Sequence, residues 1–309
     1  MLIVFCWLWC YNQSQMATTI NESFLQFKRN LEITEPQSSV VSTRQDSVKS
    51  VIEAGMDVLD SFLTGSYKRH TMIAPLQEAD IDIFVVLDSK YFYHYDKGQN
   101  GGQAGLLDLL RRTLLRTYSK TPHIARDGQA VTIHFNDFLV DVIPAFKRQG
   151  GGYLIANSIK QEWFSTDPTK HVELISNANE MHEYKLVPLI KMIKAWNRNT
   201  GNFFHSFHLE ILALEIMKPV DITDFPSGVR YFFDKGKKLI SEYNPDPAGY
   251  ERDIGSYLDG AEKVSTAVSK FETAYNRAVR AEDYALRGYV GNAVEQWKLT
   301  FGDYFPAYG

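Results

Sequence analysis

Cysteine is the scarcest chemistry in this chain of 309 residues. Only Cys6 and Cys10 occur, so the body of the chain can assemble neither a disulfide framework nor a structural zinc cluster. A reducing compartment, the cytoplasm, is the expectation. An excess of positive charge is missing too: 33 Lys and Arg stand against 37 Asp and Glu, a formal charge of −4. No long Lys/Arg block is present to wrap nucleic acid or anionic lipid, so any phosphate binding must be local. Long apolar runs are also lacking. The opening MLIVFCWLWCYNQSQ is apolar only through Tyr11, carries no basic leading segment or small-residue cleavage site, and is too short to span a bilayer. Residues 1–15 read as an upstream extension ahead of a start at Met16, with a helical turn packed on the body as the alternative. No membrane association is expected.

What is present is enough apolar residue, 44%, for a sizeable core in one or two domains. Apolar positions recur at helical spacing from Asn21 to about Phe62 (Phe24, Phe27, Leu31, then Val48, Val51, Ile52, Met56, Leu59), interrupted by the polar ITEPQSSVVST. The spacing predicts two helices, the second leading into Gly65. IDIFVVL predicts a buried strand and KYFYHYDKGQNGGQ a loop. A helix is expected over about 104–118, with Leu106, Leu109, Leu110 and Leu114 buried and Arg111, Arg112, Arg116 and Lys120 on a solvated face. HIARDGQAVTIHF and FLVDVIPAF predict strands, and a short strand follows the glycines at 150–152. After about Asp167 the periodicity is helical throughout. The expected architecture is α+β: a catalytic core with N-terminal helices over 16–165, built on a mixed sheet, and a helical lobe over 166–309.

The informative stretch is GSYKRHTMIAPLQEADIDIFVVLD, residues 65–88. Residues two apart on a strand point the same way, so Asp80 and Asp82 present both carboxylates together. Their mutual repulsion calls for a cation, and hard oxygen ligands suit Mg²⁺ or Mn²⁺ shared with substrate phosphates. Asp141, between Val140 and Val142, is a third strand-borne acid able to complete a two-metal site for phosphoryl transfer. Gly65 and Ser66 would let the backbone approach and hold phosphates at a helix start, with Arg69 close by. Alone, a D-x-D is more often a solvated strand end and a lone Asp more often a cap; the ordered set of Gly-Ser, D-x-D and a further strand Asp carries the reading.

This set resembles the nucleotidyltransferase superfamily that includes DNA polymerase β and the 2′-5′-oligoadenylate synthetases, and more closely the bacterial cGAS/DncV-like cyclases of anti-phage defence. GSYKRHT, DIDIFVVL and VDVIPAF carry the superfamily pattern; WFSTDPTKH, LIKMIKAWNRN, SFHLEILALE, NPDPAGYERD and AVEQWKLTFGDYFP are similar to that family's helical lobe. The resemblance implies a two-lobed fold that makes a cyclic di- or trinucleotide from nucleoside triphosphates, ATP or GTP, and signals to a downstream effector. Asp80, Asp82 and Asp141 would hold two Mg²⁺ or Mn²⁺ ions, and Asp141 would help deprotonate the acceptor hydroxyl. Gly65, Ser66, Lys194 and Ser206 would contact phosphates, and Phe207 would stack on a base; Lys191 is a weaker second candidate. For Lys194 an ordinary solvated helix face is the alternative. Nothing beyond Cys10 can supply the zinc thumb with which metazoan cGAS binds DNA, so DNA activation is not expected. The tail FGDYFPAYG should leave its helix near Gly302, exposed and compatible with ubiquitin-ligase-like conjugation of Gly309. A non-cyclising transferase, acting on a linear oligonucleotide, a tRNA end or a protein, is the alternative function.

Overall fold

Thr19 opens the first helix, α1 (Ile20–Asn30), in a reciprocal cap. Its hydroxyl accepts from the Glu22 N–H at 3.1 Å, and Glu22 accepts from the Thr19 N–H at 3.0 Å. The computed structural model describes residues 18–121, 123–250 and 253–309; the proposed extension over 1–15 and the start at Met16 lie outside them. The polar stretch read as an interruption instead begins α2 (Glu35–Glu53), with Pro36 in its first turn, where the missing N–H costs nothing.

The expected continuation of that helix into Gly65 is corrected. At Gly55 an added Cβ would lie 2.8 Å from Thr113, so α2 stops against a neighbouring helix. Val58–Leu63 then forms a strand, β1, antiparallel to β2 (Asp80–Leu87). Leu59 is consequently exposed on an edge strand and not part of a helical stripe. A four-residue helix, α3 (Gly65–Lys68), joins the two strands. The segment read as a loop after β2 begins as α4 (Ser89–Tyr95), before α5 (Gly102–Thr117).

The sheet continues through β3 (Ile124–Asp127), β4 (Ala130–His134), β5 (Leu139–Lys147), β6 (Tyr153–Asn157) and β7 (Glu162–Thr166). Its main path runs β1-β2-β5-β4-β3, with β6 on β5 and β7 on β6; β2 and β5 are parallel and every other pair is antiparallel. Strand alternation decides which face is which. Ile81, Ile83, Val85, Val140 and Val142 point into a core closed by Val48 and Ile52 of α2 and Leu106, Leu110 and Leu114 of α5. Asp80, Asp82 and Asp141 belong to the alternate set, on the opposite face.

The helical half comprises α6 (Pro168–Met181), α7 (Leu186–Asn199), α8 (Ser206–Met217), α9 (Phe225–Leu239), α10 (Ala261–Leu286) and α11 (Val290–Phe301). Trp196, Phe204, Phe232, Phe233 and Phe271 form its aromatic centre. Phe24 and Phe27 of α1 join this second core: the Phe24 ring meets Trp297 at 5.0 Å and Phe305 at 5.2 Å, edge to face. Phe24→Ala leaves a void among rigid rings and is expected to cost about 3–5 kcal/mol. Denaturant unfolding reads it, and a loss below about 1 kcal/mol contradicts this packing. Gly302, at φ +65°, ends α11, and residues 307–309 are exposed. Among the described residues no helix is long and apolar enough to cross a membrane.

Candidate active site

The parallel pairing of β2 with β5 sets Asp82 directly beside Asp141 in register, with Asp80 two residues back opposite Leu139. Alternation turns these side chains away from the helix-covered core, so the carboxylates face a cavity of 410 Å³ between the sheet and the helices of the second half. The first-choice site residues from the sequence line it: Asp80, Asp82, Asp141, Gly65, Ser66, Lys194, Ser206 and Phe207, with Arg69. Lys191 does not. It lies on another side of α7, buried and paired with Glu32 at 2.6 Å.

Gly65 is required twice over at this point. Its φ of +62° favours glycine, and a Cβ there would sit 1.6 Å from the Asp82 carboxylate oxygen Oδ2. The turn is pinned to the sheet and to itself: the Thr64 N–H donates to the Asp82 carbonyl at 2.9 Å, and the Thr71 and Met72 N–H groups donate to the Ser66 carbonyl at 2.9 and 3.0 Å. Ser66 is thereby held at the cavity wall.

Desolvation and then the neighbouring Asp141 push the Asp82 carboxyl up to about 7. Asp80 and Asp141 are also raised above the ordinary carboxylate range, in both cases by desolvation first. Thr132, adjacent to Asp141 on β4, opposes this by donating its hydroxyl to Asp141 Oδ1 at 2.6 Å. As they stand, no three His, Cys, Asp or Glu side chains among the described residues are drawn together closely enough to hold a metal ion. In chemistry the donor set fits Mg²⁺ or Mn²⁺: three hard carboxylates whose upward shifts register repulsion and burial that a divalent cation relieves.

Lys194 is not on a solvated face. It is 5% exposed, and its ammonium pairs with Glu210 at 2.5 Å and donates to Thr71 at 3.3 Å. Glu210, which also binds Arg69, escaped the sequence reading; the available signal was a lone acid inside the apolar run FHLEILAL, since a charge there must find a buried partner. Thr132 gave no signal at all. Phe207 is half-buried, with the Arg69 guanidinium 5.2 Å from its ring centre and the His171 ring edge-on at 4.8 Å.

Phe207, Gly65, Arg69 and Asp82 also border a second cavity of 580 Å³. Its sheet wall is apolar, with Phe84, Ile143, Ile155 and Phe164. Its opposite wall carries His171 of α6 with Asp246, Tyr250 and Asp253 from the segment between α9 and α10, and the His171 ring is held by Asp246 at 2.8 Å. Asp82 thus stands where two cavities meet, with Asp80 and Asp141 in the first of them. This arrangement can bring two ligands to one reacting centre, with phosphates at the acidic junction and planar groups against aromatic walls.

A family model described as Second Messenger Oligonucleotide or Dinucleotide Synthetase domain matches residues 18–179. The chain is 23% identical to a probable cyclic nucleotide synthase of Bacillus cereus (strain VD146), over 95% of this chain and 99% of that one. It is 27% identical to a cyclic AMP-AMP-AMP synthase of Acinetobacter sp. (strain ATCC 27244 / 9458), over 60% of this chain and 54% of that one. Among solved structures, CdnC of E. coli MS115-1 with ATP superposes with a TM-score of 0.72 at 16% identity, covering 93% of this chain and 99% of that one.

Proposed function

Because the chain belongs to the second messenger oligonucleotide or dinucleotide synthetase family, we propose that it is a nucleotidyltransferase making a cyclic di- or trinucleotide from nucleoside triphosphates, ATP or GTP. The observation that carries the reading is the placement of three carboxylates, Asp80, Asp82 and Asp141, on one sheet face lining a single cavity, with Asp82 also bordering a second. In each transfer an acceptor hydroxyl oxygen bonds to the α-phosphorus of a donor triphosphate, and the bond from that phosphorus to pyrophosphate breaks. Asp80, Asp82 and Asp141 would hold two Mg²⁺ or Mn²⁺ ions, whose chemistry there is to lower the pKa of the attacking hydroxyl and neutralise the phosphates.

The chain's own groups do the rest. Asp141, oriented by the Thr132 hydroxyl, accepts the proton of the acceptor hydroxyl. Ser66, Ser206, Lys194 and Arg69 bind the triphosphate, and Phe207 packs against a base where the cavities meet. The division into a catalytic core over 16–165 and a helical lobe over 166–309 belongs to the same reading, as do action in the cytoplasm and an anti-phage effector that receives the product. So does joining of the Gly309 carboxylate to an amine by a ligase-like partner, for which exposure of residues 307–309 is favourable. Loss of higher-mass species in Gly309→Glu on co-expression with such a partner is the expected result, and undiminished species refute it.

Incubating the purified chain with all four nucleoside triphosphates and Mg²⁺ or Mn²⁺, followed by phosphatase, tests the main claim. A phosphatase-resistant product cut by a linkage-specific nuclease is expected. A product from which phosphatase strips a 5′-triphosphate, leaving a linear oligonucleotide, would assign a non-cyclising transferase instead.

A further inference from the structure

Glu210 lies between Leu209 and Ile211 on α8 with its side chain 0% exposed. Two cations from different parts of the chain share its carboxylate. Arg69, just after α3, donates through Nε to Oε2 at 2.7 Å and through Nη2 to Oε1 at 3.3 Å; Lys194 of α7 pairs with Oε1 at 2.5 Å. A buried triad of this kind contributes little to stability over apolar groups of similar volume, because desolvating three charges offsets their attraction. Its location is more telling. All three side chains line the acidic cavity itself, opposite Asp82 and Asp141.

Donor counting gives the triad a direction. Lys has three N–H groups, and Glu210 and Thr71 occupy two; Arg has five, and Glu210 occupies two. One donor on Lys194 and three on Arg69 remain. The geometry points to Glu210 as a positioning residue for the triphosphate: it touches no nucleotide, and it holds Lys194 and Arg69 with their remaining donors toward the phosphates of a nucleoside triphosphate in the cavity. The assignment rests on the nucleotidyl-transfer reading above for the identity of the anion.

The charge balance agrees. Burial would raise the Glu210 carboxyl, yet Lys194 and then Arg69 hold it at about 2. Burial lowers the Lys194 ammonium from its ordinary value, and Glu210 is the chief opposing influence. The charged groups facing Lys194 are Glu210 from α8, Arg69 from beyond α3, Arg198 on its own helix and Asp82 across the cavity on β2. Of the two acids, Glu210 alone makes contact with it. Replacing Glu210 by neutral glutamine therefore removes the chief support of the Lys194 charge and lowers that ammonium further.

Calorimetric titration of the full chain with inorganic tripolyphosphate, without divalent metal, measures the effect independently of turnover. Glu210→Gln is expected to bind at least about tenfold more weakly than wild type at about pH 8, with the deficit shrinking at about pH 6 as Lys194 regains its proton. In a Lys194→Gln background the same Glu210→Gln change should cost much less than it does alone, because the two act as one unit. Unchanged affinity, a deficit equal at both pH values, fully additive losses, or no binding by the wild-type chain would each overturn the assignment. If Glu210→Gln alone does not fold, the Lys194→Gln, Glu210→Gln double variant, which removes both charges of the pair, carries the test. It should still bind a few fold more weakly than Lys194→Gln, because Arg69 loses its anchor as well, and equal binding by the two variants overturns the assignment. A chain that shows the expected binding pattern yet makes no product from triphosphates refutes the transferase function and leaves the role of Glu210 standing.

Discussion

Replacing Asp80 and Asp82 together by alanine should reduce synthesis by more than about 10³-fold while leaving the fold intact. The two carboxylates project from the same face of β2 toward Asp141, and without them only Asp141 is left to hold the proposed divalent cations. Stability should move the other way. The Asp82 carboxyl is raised from its ordinary 3.8 to about 7, by burial and then by Asp141, so the folded chain binds a proton there that the unfolded chain releases. The stabilisation from that proton is fully present below the ordinary carboxylate range and is lost as pH rises through about 7. Metal-free wild type should therefore melt lower at about pH 8 than at about pH 6, and the double variant should lack this part of the slope. Melting curves at both pH values and product yields from labelled triphosphates check the two halves. Near wild-type synthesis by the double variant removes the proposed chemistry.

Gly65→Ala should be nearly as damaging through a single methyl group. Backbone strain at φ +62° costs about 1–2 kcal/mol for any L side chain. The added Cβ would also sit 1.6 Å from Asp82 Oδ2, so either the turn or the carboxylate must move. Displacement of about 1 Å in a reacting group costs roughly 10²-fold in rate, and at least that loss is expected. The clash has a specific partner. In an Asp82→Ala background the stability cost of Gly65→Ala should fall to the backbone strain alone, since only a Cβ at 3.1 Å remains in the way. Denaturant unfolding of the four proteins settles it; equal costs in both backgrounds would mean that the two residues do not meet.

The alternation IDIFVVL and the isolated Asp in LVDVI gave away both the strands and the shared face of their acids, because period-two patterning translates directly into orientation. Helical periodicity after Asp167 was equally plain. β1 was not: VLDSFL sits on an edge strand, its Leu59 exposed, and its spacing continues the stripe of α2, so only pairing with β2 reveals it. The burial of Lys194 was hidden for a related reason. On an amphipathic helix a lysine reads as solvated, and its partner Glu210 lies on a different helix, so nothing local in either segment announces the pair. The Thr132 bond to Asp141 likewise depends on which strands are neighbours. What escaped the sequence was contact between segments distant along the chain.

The parallel pairing of Asp82 with Asp141 has a further consequence, for how this chain tolerates insertion and deletion. The separation of the two acids is set by hydrogen bonds between β2 and β5 and not by the length of chain that joins them. Lengthening the turn at Gly128 or the segment around α4 leaves that spacing untouched. One residue gained or lost inside β5 ahead of Asp141 does not. It reverses odd and even, turns the carboxylate toward Leu106 and Leu110, and presents Val140 or Val142 to the cavity. An edit of two residues there restores the face but slides Asp141 about 6.6 Å along β2, away from Asp82, so the site is guarded by parity and register together as much as by the identity of its residues.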